Sequence, residues 1–197
     1  MSSPRLRAMG RWEPNASGRL REAALELYVE RGFDNTTVAE IADRAGLTAR
    51  TFFRHFADKR EVLFAGSNTL LERLRGALDE APDVASPMEA AVAALGTASA
   101  ELTQHRDYAR RRQSVITANA ELRERELVKM ATLSTTITTS LGAKGVPEAD
   151  AHMAAEVAIA VFRVAFERWL TDQPERPLTE VIDESLLHLR ALAAPAP

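Results

Sequence analysis

The 197-residue chain contains no cysteine, which excludes disulfide scaffolds, thiol catalysis and thiolate metal sites. Long hydrophobic runs are missing too: charge interrupts every apolar stretch, well short of the ~20 apolar residues of a membrane span. The opening segment, MSSPRLRAMGRWEPNASG, has arginines but no apolar core, so it does not read as a secretory leader. Lysine is scarce, with 3 against 22 arginines, and alanine is abundant at 35. That bias points to a GC-rich genome more than to a function. No Gly-x-Gly-x-x-Gly, phosphate loop or Gly-x-Ser-x-Gly elbow occurs. What remains is globular, with 46% hydrophobic and 27% charged residues and a net charge of −3. The expectation is a soluble, cytoplasmic protein of one or two small domains.

Charge is unevenly placed. Residues 1–64 carry a balance of +2 and the remainder −5, so a polyanion would meet the N-terminal part. Apolar residues recur at helical spacing throughout, and no β-rich run stands between turn clusters. The expected fold class is all-α, with about nine helices. A first helix, Ser17 to Arg31, ends at Gly32. A second opens on the capping box Thr37-Val38-Ala39-Glu40 and stops at Gly46. A third follows Thr48 and carries Phe52, Phe53 and Phe56. A fourth is expected from Asp58, opening on the box Asp58-Lys59-Arg60-Glu61, to about Asp79. Ser86-Pro87-Met88-Glu89 caps a helix to about Gln104. Further helices span Arg106–Asn119, Glu121–Leu141, Pro147–Asp172 and Leu178–Leu192. The organisation predicted is a basic arm over 1–16, a helix-turn-helix domain over 17–64 and a helical domain over 65–193.

Between Thr37 and His55 the chain reads TVAEIADRAGLTARTFFRH. Two short helices flank Ala45-Gly46-Leu47, and the glycine allows the sharp crossing of a helix-turn-helix, whose second helix enters the DNA major groove. Ile41, Ala42, Ala45, Leu47 and Phe52 would pin the pair. Thr48, Ala49, Arg50, Thr51, Arg54 and His55 then form the polar face available to DNA. Arginine bridges guanine O6 and N7, threonine meets a thymine methyl, and hydroxyls suit phosphates. An ordinary pair of crossing helices with a solvated face is the competing reading.

The stretch from Leu20 to Leu63, with EAALELYVERGF, TTVAEIADRAGLTARTFFRHF and DKREVLF, resembles the DNA-binding domain of TetR-family transcriptional regulators. The glycine-aromatic pair, double threonine, Ile-Ala, Ala-Gly, aromatic pair, His-Phe and Asp-Lys of that family occur in order. The resemblance adds Thr37, Arg44, Phe53 and Lys59 to the expected DNA face. Phe53 stands where the family usually has a tyrosine, so a hydroxyl contact to the DNA backbone is lost. The C-terminal part resembles the family in architecture, and NAELRERE with the Phe166–Leu170 segment looks like an actinobacterial branch that includes regulators near mycofactocin clusters. The resemblance implies a homodimeric repressor of a palindromic double-stranded DNA operator, released by a small, largely apolar effector. A helical protein-interaction module that has lost DNA binding is the alternative.

The effector is expected among residues 85–170, against Tyr108, Arg112, Met130, Thr138, Phe162, Arg163, Phe166 and Trp169. Arg110-Arg111-Arg112 reads as a solvated helix start, or Arg112 turns inward toward an anionic ligand. Acidic residues of Glu121–Glu126 alternate with arginine and read as surface ion pairs. The dimer is expected from the last two long helices through Val157, Val161, Val164, Leu186 and Leu189. Arg5, Arg7, Arg11 and Arg19 form an arm that either follows a minor groove or is a solvated tail. Glu148 and His152 share a helical face, yet two ligands rarely hold zinc. No metal, cofactor, membrane association or enzymatic activity is expected.

Overall fold

The computed structural model describes residues 15–82, 86–172 and 175–194. Arg5, Arg7, Arg11 and Trp12 of the expected arm lie outside them. The described residues are helical and divide into two compact units, Met1–Leu63 and Phe64–Pro197.

The first unit holds α1 (Ala16–Arg31), α2 (Val38–Arg44) and α3 (Ala49–His55), and α4 (Glu61–Phe64) crosses into the second. Each start is set by a side chain that satisfies a free backbone N–H. Asn15 accepts from Gly18 N, and Thr48 Oγ1 accepts from Thr51 N. Thr37 and Glu40 form the full reciprocal box. Leu20, Ala24, Leu27, Ile41, Ala42 and Phe52 are buried between α1, α2 and α3. The Tyr28 ring packs at a tilt against Phe33, with centroids 5.2 Å apart, and its hydroxyl donates to the Lys59 carbonyl at 2.6 Å.

The expected fourth helix is two. α4 stops at Phe64 and α5 (Ser67–Glu80) restarts beyond Ala65-Gly66. Glycine is a poor helix former and the following Ser67-Asn68 favours a helix start over an interior. Asp58 caps α4 from Glu61 N at 3.1 Å.

The second unit continues with α6 (Pro87–Ser99), a 3₁₀ segment (Ala100–His105), α7 (Arg106–Ala118), α8 (Ala120–Ala143), α9 (Glu148–Thr171) and α10 (Leu178–Ala193). Among the described residues this makes ten α-helical segments, one more than expected because of the break at Gly66. The helix from Pro87 also ends early, since the buried Ser99 hydroxyl donates back to Leu95 O at 2.7 Å and tightens the last turns. α6 packs on α5, α9 and α10, and α9 packs on α8 and α10. Ala91, Ala94, Ala98, Ala151, Ala155, Ala158 and Ala165 fill the core. Their small side chains let helices approach toward the lower end of the 8–10 Å range, which gives the alanine excess a structural use.

The stripe expected for dimer formation is misplaced by one helical face. Val161 and Leu186 lie in the core, and Val157 and Leu189 pack partly against it. Val164 alone of the five is exposed, and Met153, Leu187 and Leu192 share that condition.

Candidate nucleic-acid interface

α2 and α3 meet through a turn in which Gly46 N donates to Asp43 O and Leu47 N to Ala42 O, both at 2.8 Å. Gly46 sits at φ 65°, in the left-handed region. A Cβ there would also lie 2.8 Å from Arg19 Nη2. Arg19 belongs to α1, where its guanidinium donates to the Ala45 carbonyl at the end of α2. It braces the turn, so its place in an N-terminal arm is corrected.

With Phe52 fully buried, α3 turns Thr48, Ala49, Arg50, Phe53, Arg54 and His55 outward, and Thr51 is half-buried. Phe53 is 58% exposed and rests edge-on against Phe52 at 5.5 Å. Such exposure of an aromatic ring has no packing purpose within this unit. Thr37 is exposed, but its hydroxyl donates to Glu40 Oε2 at 2.8 Å and accepts from Glu40 N. The hydrogen bonds from Thr37 hold the Glu40 carboxyl below the ordinary carboxylate value.

The cations divide into two groups. Arg44 donates to Glu26 and Glu30 of α1 at 2.9–3.1 Å, and its hydrogen bonds to Glu30 and Glu26 raise its pKa further. Arg31 pairs with Glu40 at 3.0 Å. Lys59 Nζ donates to the carbonyls of Phe33, Asp34 and Thr36 at 2.9–3.3 Å and lies 4.4 Å above the Phe33 ring. Those three carbonyls belong to the turn that follows α1. Its ammonium therefore holds this turn in place, a role the sequence reading as a DNA-face cation missed. Arg50 and Arg54, by contrast, make no ion pair among the described residues. Among the described residues of this unit, Arg50 and Arg54 thus place positive charge on the outer face of α3.

In the second unit Phe162, Phe166 and Trp169 come together, with ring centroids 6.0 and 5.7 Å apart. Trp169 is wholly buried, and its Nε1–H donates to Arg176 O at 2.9 Å. Arg106 covers its ring and donates to the carbonyls of Trp169 and Asp172 at the end of α9. Trp169 thus anchors the α9–α10 connection. Met130 packs partly against the core. Tyr108 is half-buried, Thr138 donates back to Ser134 O at 3.1 Å, and Arg163 is exposed. Arg112 turns inward and pairs with Glu126 at 2.9 Å. Glu126 is therefore not the surface residue its arginine-rich neighbourhood suggested. Glu148 and His152 are exposed, and no group of metal-ligating side chains occurs among the described residues.

Residues 20–65 match the family model described as bacterial regulatory proteins, tetR family. The chain is 41% identical over 71 residues to the HTH-type transcriptional regulator TcmR of Streptomyces glaucescens, covering 36% of this chain and 31% of that protein. It is 27% identical over 172 residues to MftR of Mycobacterium tuberculosis, described as a mycofactocin biosynthesis transcriptional regulator, covering 84% and 85% of the two chains. Among solved structures, Thermus thermophilus FadR, a TetR-family repressor in complex with lauroyl-CoA, superposes with a TM-score of 0.56 at 25% identity, covering 92% of this chain and 98% of that one. The turn braced at Gly46 and the outward face of α3 fall inside the matched segment. Residues 20–65 thus match the DNA-binding segment of the tetR family, and the chain is similar over most of its length to a transcriptional regulator.

Proposed function

We propose that this regulator is a homodimeric repressor that binds a two-fold operator through α3 and is released by a small, largely apolar effector held in its second unit. The observation that carries the reading is the division of the cations. Arg31, Arg44 and Lys59 are engaged within the fold, whereas Arg50 and Arg54 stand uncommitted on an exposed helix. Thr48, Ala49 and Thr51 at the start of α3 supply small contacts to bases and phosphates, and Phe53 supplies apolar contact. His55 lies at the far end of the same helix. Arg44, with Thr37, supports the interface from behind by fixing α2 against α1.

One recognition helix reads few bases, so specificity calls for two copies across a two-fold axis. The exposed Met153 and Val164 of α9, with Leu187 and Leu192 of α10, supply apolar surface for a four-helix contact. The half-sites would then lie one helical turn apart, about 34–36 Å. The lauroyl-CoA in the FadR complex supports an effector with a long apolar part. α4 carries the chain from one unit into the next, so the covalent path for release runs through it. An effector weakens DNA binding only by its preference for the non-binding state, typically about 1–3 kcal/mol.

Footprinting on the DNA upstream of the protein's own gene tests this reading. Protection of two inverted half-sites on one face of the duplex is expected. Uniform protection that disappears with competitor DNA would reject it.

A further inference from the structure

Phe52 and Phe53 are neighbours on α3, and consecutive helical residues point about 100° apart, so both cannot enter one core. Phe52 takes the core. Phe33 and Phe56 of the same unit are buried too, and Phe53 alone of the four is exposed. Its only ring contact is the edge-on one with Phe52. A single exposed apolar side chain is ordinary on a protein surface; the setting of this one is not.

Ala49 lies four residues before Phe53 and is exposed as well. Residues at that spacing are neighbours on a helix, with Cβ atoms about 5–6 Å apart. Arg50 and Arg54 repeat the same spacing one position on, and both are exposed. An apolar row of methyl and phenyl therefore runs beside a row of two guanidiniums. At the helix start the Thr48 and Thr51 hydroxyls lie 3.1 Å apart, and Thr48 Oγ1 also accepts from Thr51 N. Those hydroxyls face each other and not the ring.

A phenyl ring has no hydrogen-bonding group, so it gains nothing from a phosphate oxygen. Base edges in the major groove display donors and acceptors, and the apolar group among them is the thymine 5-methyl. A ring laid over a G·C edge would strip water from polar atoms and return no hydrogen bond, which is costly. Over a thymine methyl the same ring buries apolar surface on both sides.

We propose that Phe53 is a specificity-determining residue that seats on the 5-methyl group of one thymine in each operator half-site, with Arg50 and Arg54 on the cationic row beside it. This rests on the repressor reading above and deepens it by naming a base and the atom that is read.

The test begins with duplexes selected from a random pool by the full wild-type chain. Each thymine of the selected half-site is then replaced in turn, in both half-sites, by deoxyuridine, which removes the methyl and keeps every hydrogen-bonding group. Binding is followed by fluorescence anisotropy. One buried methyl is worth roughly fourfold, so two half-sites should give about fifteenfold weaker binding at one symmetric position. Phe53→Ala should bind the thymine and uracil duplexes equally there, and Phe53→Leu should keep part of the preference. Wild type that binds every uracil duplex as tightly as the parent overturns the proposal. So does a Phe53→Ala protein that retains the full preference, since another side chain then reads the methyl. Equal weakening of Phe53→Ala on selected and random DNA places the ring on the sugar-phosphate backbone and overturns it too. A pool from which nothing is enriched rejects the repressor reading itself, and the inference falls with it.

Discussion

Lys59 and Arg50 carry the same charge to different ends. Lys59 makes three charge-assisted hydrogen bonds to carbonyls that would otherwise need water. Lys59→Met should lower the stability of the protein by about 2 kcal/mol, the scale of hydrogen bonds to charged groups, measured by urea unfolding. Unchanged stability with uniformly weaker DNA binding would return Lys59 to the phosphate role that its sequence position suggested. Gly46→Ala should cost about 1–2 kcal/mol for the left-handed backbone alone, with further disturbance of Arg19 beside it. A Gly46→Ala protein as stable as wild type would contradict the bracing of the turn. Capping residues such as Thr37, Thr48 and Ser86 were legible because a cap is a local bond between neighbours in sequence. The partners of Lys59 and Arg19 were not, since each lies more than twenty residues away along the chain.

Helices were legible where periodicity and caps agreed, and less so where a single residue interrupts them. The expected helix from Asp58 breaks at Gly66, and the one from Pro87 tightens after Ser99, because a flexible backbone in one case and a hydroxyl in the other competes with the helical bond. α8 shows a different failure. Its RERE run suggests solvated ion pairs, whereas the helical spacing of Leu122, Leu133, Ile137 and Leu141 already places Glu126 and Lys129 on the same half-buried face. The signal was present in the spacing and was masked by composition. This burial has a pH signature. The folded-state pKa of Lys129 is about 8, below the ordinary value of 10.5, so the folded protein binds fewer protons than the unfolded chain between those values. Stability must then rise as pH climbs through about 8 toward 10.5, and the destabilisation is fully present below 8. Lys129→Met should be more stable than wild type at pH 7, and the gap should shrink by pH 10. A gap independent of pH would mean that Lys129 is solvated; the charged neighbours entering this balance are Arg112 and Glu126.

At the scale of the molecule, two units share the work. The TetR match covers residues 20–65, and that unit's inner residues were readable because the spacing of core positions is tight. The core of the second unit was less readable, since helical stripes reveal which face is inward but not how deeply each inward residue is buried. The dimer stripe illustrates this: the valines of α9 recur at helical spacing on both faces, and only burial separates Val161 from Val164. Val164→Glu should yield a folded monomer by sedimentation, whereas Val161→Glu should unfold the second unit, because an unpaired charge in a core is strongly destabilising. Wild-type monomer at micromolar concentration would remove the two-fold operator from the account. The most direct test of DNA recognition by α3 is fluorescence anisotropy with labelled DNA from upstream of the protein's gene, titrated with wild type and with Arg50→Ala. The substitution should leave the unfolding midpoint unchanged and weaken specific binding by about 1–3 kcal/mol if Arg50 reads a base, roughly 5- to 150-fold. Identical binding curves for Arg50→Ala and an Arg50→Ala/Arg54→Ala double variant with wild type would contradict it.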